Sequence, residues 1–519
     1  MLTGKLFFSH KIHILAICAV LIMPLFLCAC GNTASQTASK DSIVIATSGE
    51  PYRFFPQSSG GCGGDDNLVL CNLYDCLFRL ENDGSLSPAI ATSCEESEDG
   101  LSYTFKLREG VTFHNGYPMT AEDVKFTFDL GSAGPLGKAL FINYESSEII
   151  DDYTVRINLS APYSAFLYGA SSRLGGIVCK KYFDEVGESG YMAHPIGTGP
   201  YKFVEYVSGD YTRLEANENY WNGTPSVKSA TVKIVSDPNT QMLGLKNGDY
   251  DLVRNPQIAT VAKLEPDDNC TFDVSEGTGP IILYLAEWNG PCKDINFRKA
   301  LSLAINKDDI NTFIFENYSE PLEVSMCKMY GGYVDSKDGV RTNEFDPDMA
   351  MYYLGLSSYN GEPFEITVPS ESQLEKIGKV IQSELLDIGI NCKLRTIDSM
   401  SYNEAQNSRN FDSILIENIS SLIDADSLST LHRLDRWDLS RCYSRDADIS
   451  ELLSIGRSVD DDMRSPYYVE VSNIINDEVY EVPLLCDLIT IAYSKKLSGV
   501  EAHCLNYCYF DAISFSEDN

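Results

Sequence analysis

The sequence predicts an α/β protein with more than one domain, and three observations support this. The chain has 519 residues, which exceeds the size at which a single hydrophobic core stops growing. A hydrophobic content of 44% and an aromatic content of 11% are typical of globular proteins. Segments 229–253 and 364–397 each show a strand–helix–strand pattern, which requires parallel strands joined by a crossover. We therefore expect at least two α/β regions.

Local signals place the helices within these two segments. In the first, Asp237 is the predicted cap, Pro238 occupies the first helical position, and Gly248 ends the helix. The second helix is predicted from an apolar stripe that Gly389 closes. The members of that stripe are Leu374, Ile377, Ile381, Leu385 and Ile388.

The stretch 99–129 predicts strands, a tight turn and a helix. Residues 103–107 alternate between apolar and polar side chains, as in a half-buried strand. Asn115-Gly116 forms the turn, and Thr120 to Asp123 fits a capping box at a helix start. We interpret this stretch as a scaffold without catalytic groups.

The first 42 residues predict export and a lipid anchor. Residues 1–29 have a basic start and an apolar run, and Leu-Cys-Ala at 27–29 is followed by Cys30, which is typical of a bacterial lipoprotein signal peptide. Cys30 is then the lipidated residue, and residues 30–42 form a flexible polar tether. The alternative is a simple membrane-anchoring helix, for which the apolar run is short.

Charge and cysteine content restrict the partners. The net charge of −35 at pH 7 repels phosphate backbones, so nucleic acid is not an expected partner. Of 16 cysteines, 13 remain after the predicted leader and Cys30 are removed, and their pairing cannot be deduced from the sequence. His503 and Cys504 in HCLNYC could bind a metal, but buried thiols or a local disulfide are the preferred interpretation.

No enzyme motif is present in the sequence. Gly-x-Ser-x-Gly, His-Glu-x-x-His and a nucleotide-binding glycine fingerprint are all absent. The histidines beyond the leader are dispersed: His114, His194, His432 and His503. We therefore predict no catalytic residues, no metal and no cofactor, and keep a lipid-anchored hydrolase as a remote alternative.

Several sequence blocks in order resemble one family, the bacterial extracellular solute-binding proteins of family 5. The blocks are YTFKLR, GVTFHNG, TAEDV, GTGPYKF, NYW, LKNGDYDL, FRKALSLAI, DPDMAMYYL and LLDIGINCKLRTID. The resemblance covers about residues 41–500. Members of this family are the peptide- and nickel-binding receptors of ABC importers.

The resemblance implies a two-lobed periplasmic-binding-protein-like clamp (type II, cluster C) with an extra domain inserted on the N-terminal lobe. Two chain crossings are expected hinges, near Gly277–Pro280 and Val482–Cys486, where Gly277 and Gly279 suit either a hinge or an ordinary turn. The implied domains are a discontinuous lobe I (43–69, 190–280 and 486–519), the extra domain (70–189) and lobe II (281–485).

The resemblance also suggests ligand-binding residues. Glu50 and Tyr52 follow the first strand and are expected to face the cleft. Peptide-binding relatives carry Trp, and three residues later an Asp that pairs with the peptide amine; this chain has Asn418 and Ser421 there. Asp424 and Asp426 are further candidates, which either replace that Asp or begin the next helix. Trp288 and Trp437 are possible stacking surfaces for a ligand.

The implied function is capture of a small solute outside the cell. The expected partners are a peptide or related solute, an ABC permease with its ATPase, and the membrane through the lipid anchor only. We expect a monomer on the outer face of the bacterial cytoplasmic membrane. The alternatives are a peptide-sensing receptor or chaperone of the same fold, or a nickel chelate, haem, opine or glycan as cargo.

Overall fold

A computed structural model describes residues 41–58, 64–134, 137–264, 269–420, 422–433, 443 and 446–516. The chain divides into two units, Met1–Lys40 and Asp41–Asn519, and every described element belongs to the second. The predicted signal peptide and Cys30 therefore lie outside the described residues.

The described part of the chain contains eighteen strands. They are β1 (Ser42–Thr47), β2 (Phe78–Leu80), β3 (Leu86–Pro88), β4 (Ala91–Glu96), β5 (Ser102–Leu107), β6 (Tyr144–Asp151), β7 (Thr154–Leu159), β8 (Tyr201–Val207), β9 (Tyr211–Ala216), β10 (Ser229–Ile234), β11 (Leu252–Arg254), β12 (Cys270–Leu285), β13 (Phe364–Pro369), β14 (Cys392–Ile397), β15 (Ser413–Glu417), β16 (Glu481–Ser494), β17 (Leu497–Ser498) and β18 (Ser514–Phe515).

The same described residues form fifteen α-helices. They are α1 (Asn67–Leu73), α2 (Ala121–Ala133), α3 (Gly137–Leu140), α4 (Phe166–Ser171), α5 (Lys180–Ala193), α6 (Pro238–Asn247), α7 (Ile258–Val261), α8 (Ile295–Ala304), α9 (Lys307–Phe315), α10 (Pro347–Leu356), α11 (Gln373–Asp387), α12 (Ser399–Ser408), α13 (Ser429–His432), α14 (Ala447–Gly456) and α15 (Ser465–Glu478).

One ten-stranded sheet organises the molecule, with strand order β14-β13-β15-β12-β16-β11-β1-β10-β9-β8. We call β11, β1, β10, β9 and β8 the N-terminal half-sheet, and β15, β13 and β14 the C-terminal half-sheet. The two long antiparallel strands β12 and β16, of 16 and 14 residues, lie between the halves. The chain therefore crosses from one half to the other along two neighbouring strands.

Separate hydrophobic cores cover the two half-sheets. One packs Ile45, Leu214 and Val232 of the N-terminal half-sheet against α1. Another packs Ile366 and Leu415 of the C-terminal half-sheet against α8, α9 and α11. A third core belongs to the four-stranded sheet β4-β5-β7-β6 and α2. The residue boundaries predicted for the lobes and the extra domain stay a prediction.

Both predicted strand–helix–strand units are confirmed. Strand β1 pairs in parallel with both β10 and β11, and β13 pairs in parallel with β14. Asp237 caps α6 by accepting a hydrogen bond from the Thr240 amide, and Gly248 ends it with φ of 81°. The capping box from Thr120 to Asp123 is also present at the start of α2.

At the start of α1, the Asp66 side chain binds the preceding loop and not the helix. Asp66 occupies the cap position, but its side chain makes no capping hydrogen bond to the helix. Its carboxylate instead accepts hydrogen bonds from the amides of Tyr52 and Arg53, at 2.9 and 3.0 Å. Asp66 makes these contacts because the fold places the amides of Tyr52 and Arg53 next to its carboxylate.

The cysteines within the described residues form one disulfide, Cys327–Cys486. Cys486 lies on β16, so the bridge ties the loop before α10 to a crossing strand. The remaining described cysteines are free thiols, and they include Cys504 and Cys508 of the HCLNYC segment. No described helix is long and apolar enough to span a lipid bilayer.

Candidate functional site

A cavity of about 330 Å³ lies where the two half-sheets meet. The crossing strands contribute Thr278 and Asp487 to its wall. Polar side chains on both sides of the crossing strands also line it: Asn67, Asn255 and Gln257 on the N-terminal side, and Gln373, Glu417 and Ser420 on the C-terminal side. A ligand held here would touch both halves at once, which is the geometry of a clamp.

Two glycines on β12 allow a carboxylate to lie against the backbone beside this cavity. A Cβ atom on Gly277 would stand 2.2 Å from Oδ1 of Asp487. The amide of Gly279 donates a 2.8 Å hydrogen bond to that same oxygen. Close approach of a side chain, rather than a left-handed backbone angle, is therefore what requires glycine at position 277. The hinge role predicted for both glycines stays a prediction.

Glu417 and Asp487 form a pair of neighbouring carboxyl groups on the cavity wall. Glu417 ends β15 and Asp487 lies in the middle of β16, and the two carboxyl groups can share a hydrogen bond when one of them is protonated. Burial raises the pKa of Glu417. Burial, followed by the charge of Glu417, raises the pKa of Asp487 well above its ordinary range. The pair can therefore share a proton or neutralise a cationic group of a ligand.

The acids predicted to anchor a ligand amine are both engaged with arginines. Asp424 is fully buried, and its Oδ2 accepts a 2.7 Å hydrogen bond from Arg464. Asp426 accepts from Nε of Arg457 at 3.1 Å and from the Tyr163 hydroxyl at 3.1 Å. Neither acid lines the cavity between the half-sheets.

Asp424 also caps a short 3-10 helix, since its side chain accepts a hydrogen bond from the amide of Asp426. This arrangement matches the alternative interpretation, in which the two acids begin the next helix. Burial raises the pKa of Asp424 to about 6, and the Arg464 guanidinium opposes that shift. The role of either acid as an amine anchor stays a prediction.

Glu50 and Tyr52 lie outside the lining of the cavity. The Glu50 carboxylate accepts hydrogen bonds from the Tyr206 hydroxyl, the Ser208 hydroxyl and the Gly209 amide, which lower its pKa. Tyr52 is 47% exposed. The structure thus places Glu50 against the β8–β9 turn, and the prediction that both residues contact a ligand stays open to experiment.

The remaining predicted residues fall in three places. Asn418 follows β15 and is buried, and its backbone amide donates a 3.0 Å hydrogen bond to the Pro280 carbonyl. Trp288 is half-buried, with its ring centroid 5.8 Å from that of Phe411 in a small core of the C-terminal half. Ser421 and Trp437 lie outside the described residues.

Sequence reasoning missed the acid pair at the centre of the cavity. A signal was present for each member. Asp487 interrupts the apolar run VPLLC-D-LITIA. Glu417 directly precedes Asn418, which is one of the predicted ligand-binding residues. What the sequence did not show is that these two acids meet.

His503 and Cys504, which could have formed a metal site, have no further metal-ligating neighbours among the described residues. His503 contacts the Leu80 carbonyl through Nε2 at 3.0 Å, and its ring stacks on Tyr507. No group of three or more metal-ligating side chains occurs among the described residues.

Comparison with known proteins identifies the class. The family described as "Bacterial extracellular solute-binding proteins, family 5 Middle" matches residues 85–437, which is more than half of the chain. The chain is 29% identical to a glutathione-binding protein, GsiB, of Pectobacterium atrosepticum over 399 residues, covering 72% of this chain and 73% of that protein. It is 27% identical to di/tripeptide-binding protein 2 of Pseudomonas aeruginosa, covering 92% and 95% of the two chains.

A solved structure confirms the fold. The ABC transporter substrate-binding protein CtaP of Listeria monocytogenes superimposes with a TM-score of 0.84 at 25% identity, covering 92% of this chain and 100% of that one. The fold is therefore the two-lobed α/β clamp of the periplasmic binding proteins. The chain belongs to the bacterial extracellular solute-binding proteins of family 5.

Proposed function

We propose that this protein is the lipid-anchored substrate-binding component of an ABC importer, which captures peptides between its half-sheets and delivers them to a membrane permease. The observation that carries this proposal is the cavity at the crossing strands, which is lined by residues from both halves of the molecule. Binding that buries a ligand between two halves favours the closed clamp, because only that state makes both sets of contacts.

The chemistry of the cavity supports a peptide as cargo. Its amide side chains on Asn67, Asn255 and Gln257 can donate to peptide carbonyls and accept from peptide amides. The cleft acids Glu417 and Asp487 can meet the positive charge of a peptide amine, which should not be buried unpaired. The relatives named for glutathione and for di- and tripeptides bind ligands of the same chemical class.

The anchor and location follow from the N-terminal sequence. Cys30 follows a lipobox-like Leu-Cys-Ala, and a polar tether separates it from the first strand at Ser42. A lipid on Cys30 would hold the folded unit at the outer face of the cytoplasmic membrane, within reach of a permease.

Calorimetric titration of the purified full chain with trialanine tests the cargo. We expect saturable binding. Glu417→Gln should weaken it at least tenfold, because an amide cannot neutralise the peptide amine. The matched control is Glu365→Gln, which changes an exposed acid on β13 of the same half-sheet.

Native mass spectrometry of the protein as purified provides the second readout. Adducts at a range of peptide masses are expected. A bare mass together with no heat on titration would contradict peptide cargo, and the nickel chelate, haem, opine and glycan alternatives would then be titrated. Unchanged affinity in Glu417→Gln would remove the acid pair from the ligand site.

A further inference from the structure

A second cavity, of about 320 Å³, lies away from the clamp. Its lining comes from α1, the β2–β3 hairpin, the segment after α4, the Tyr220–Asn222 turn and the chain near the C-terminus. Every residue that lines it lies outside 281–485, so the C-terminal half-sheet takes no part. The volume falls in the range of small-molecule sites, roughly 300–1,000 Å³.

Aromatic rings form much of its wall, and cations hold two of them in place. The Arg79 guanidinium lies 3.4 Å from the ring centroid of Tyr509. The Arg108 guanidinium lies 4.1 Å from that of Trp221. Tyr507 also lines the cavity. Such fixed aromatic faces favour an apolar or planar group between them.

Two of the acids in the wall have partners within the protein. Asp75 accepts hydrogen bonds from the Thr198 hydroxyl at 2.9 Å, the Tyr220 hydroxyl at 2.9 Å and the Trp221 indole at 3.0 Å. Glu81 accepts from the Ser87 hydroxyl. These carboxylates therefore organise the wall.

Two further charged groups each present an atom without a partner. Nη1 of Arg173 is buried and has no hydrogen-bond partner among the described residues. The same holds for Oδ1 of Asp511, whose Oδ2 lies 3.4 Å from Nη1 of Arg79. Both residues line the cavity. A cation and an acid on the wall of one cavity favour a ligand that carries both an anionic and a cationic group.

We propose that this cavity binds a zwitterionic α-amino acid with an apolar side chain. Its carboxylate would accept from Arg173, its ammonium group would donate to Asp511, and its side chain would lie among the aromatic rings. This site goes beyond the proposed function. It requires neither closure of the half-sheets nor a ligand between them.

The protein offers a reporter placed in this cavity. Trp221 lines the cavity, and Trp288→Phe and Trp437→Phe together leave it as the single tryptophan of the chain. Titration of this full-length variant, purified in a non-ionic detergent, with L-phenylalanine should give a saturable change in Trp221 emission. The change should persist when trialanine is present.

Two substitutions test the assigned contacts. Arg173→Met and Asp511→Asn should each weaken the binding of L-phenylalanine at least tenfold, because each removes a charge-assisted hydrogen bond. The matched control is Arg156→Met, which removes an arginine paired with Glu148 on the exposed sheet. Melting temperatures of all variants check that they fold.

Ligand analogues test the same contacts without changing the protein. N-acetyl-L-phenylalanine lacks the ammonium group and L-phenylalaninamide lacks the carboxylate, so both should bind at least tenfold more weakly. If both analogues bound as tightly as L-phenylalanine, the proposal would be overturned. No emission change up to about 10 mM L-phenylalanine would also overturn it.

Discussion

Asp424 and Asp426 are separated by one residue, yet each carboxylate is held by a different arginine. Asp424 pairs with Arg464, and both side chains are almost completely buried. Asp426 pairs with Arg457, which is 11% exposed. Since Tyr163 also donates to Asp426, this segment joins the C-terminal half to the four-stranded sheet region. Removing one partner of such a pair leaves a buried charge without compensation.

Asp424→Ala should therefore destabilise the protein strongly, by about 3–5 kcal/mol in urea unfolding. The matched control is Asp477→Ala, which breaks an ion pair with Arg341 whose partners are both about half exposed. That variant should lose less than about 1 kcal/mol. If Asp424→Ala lost as little free energy of unfolding as the control, the Asp424–Arg464 pair would not stabilise the fold.

At the scale of elements, β12 and β16 combine two roles. They are the two crossings between the half-sheets, and they carry Asp487 at the cavity wall. Their pairing is irregular between Glu276 and Pro280, next to the glycines that make room for Asp487. The disulfide at Cys486 lies one residue before that acid. A change of backbone angle here would move the Asp487 carboxylate at the same time as it changes the angle between the two halves.

Gly277→Ala should destabilise the protein by about 1–3 kcal/mol, because the added methyl group overlaps the Asp487 carboxylate. It should also weaken binding of trialanine, since Asp487 must leave its position on the cavity wall. Gly355→Ala on α10 is the control. Its added methyl group meets no atom within 4 Å, so it should stabilise the helix by about 0.5–1 kcal/mol. Unchanged stability and affinity in Gly277→Ala would contradict the close approach.

At the scale of the whole molecule, one continuous sheet runs through both halves. The two half-sheets have separate cores, so each can keep its own packing while the crossing strands bend. We therefore predict that small changes of angle along β12 and β16 open and close the cavity between the halves. This architecture suits a receptor that must bind a solute and later release it.

The anchoring proposal is tested on the whole chain. Cys30→Ala removes the only atom that the predicted lipid could modify, so we expect the folded protein in the growth medium or soluble fraction. Membrane fractionation with immunoblotting measures this. The control is Cys28→Ala, which should leave the protein with the membrane. Retention of Cys30→Ala at the membrane would favour the alternative of a membrane-anchoring helix.

Local features of the fold could be predicted because their causes lie within a few residues. The cap at Asp237, the stop at Gly248 and the box from Thr120 to Asp123 each depend on neighbours along the chain. The ordered blocks were sufficient to predict the family and its two-lobed clamp. The candidate site was predicted less completely, since neither Asn418 nor Asp424 lines the cavity and the acid pair was missed.

The sequence by itself determined the α/β class, the strand–helix–strand units and the family, because periodicity, capping and ordered blocks can be read along the chain. Only the tertiary structure decided which charges meet. It placed Glu417 next to Asp487, paired Asp424 with Arg464, and placed Arg173 and Asp511 on the wall of one cavity. These contacts link residues far apart in sequence, and their partners are selected by burial and by the path of the folded chain.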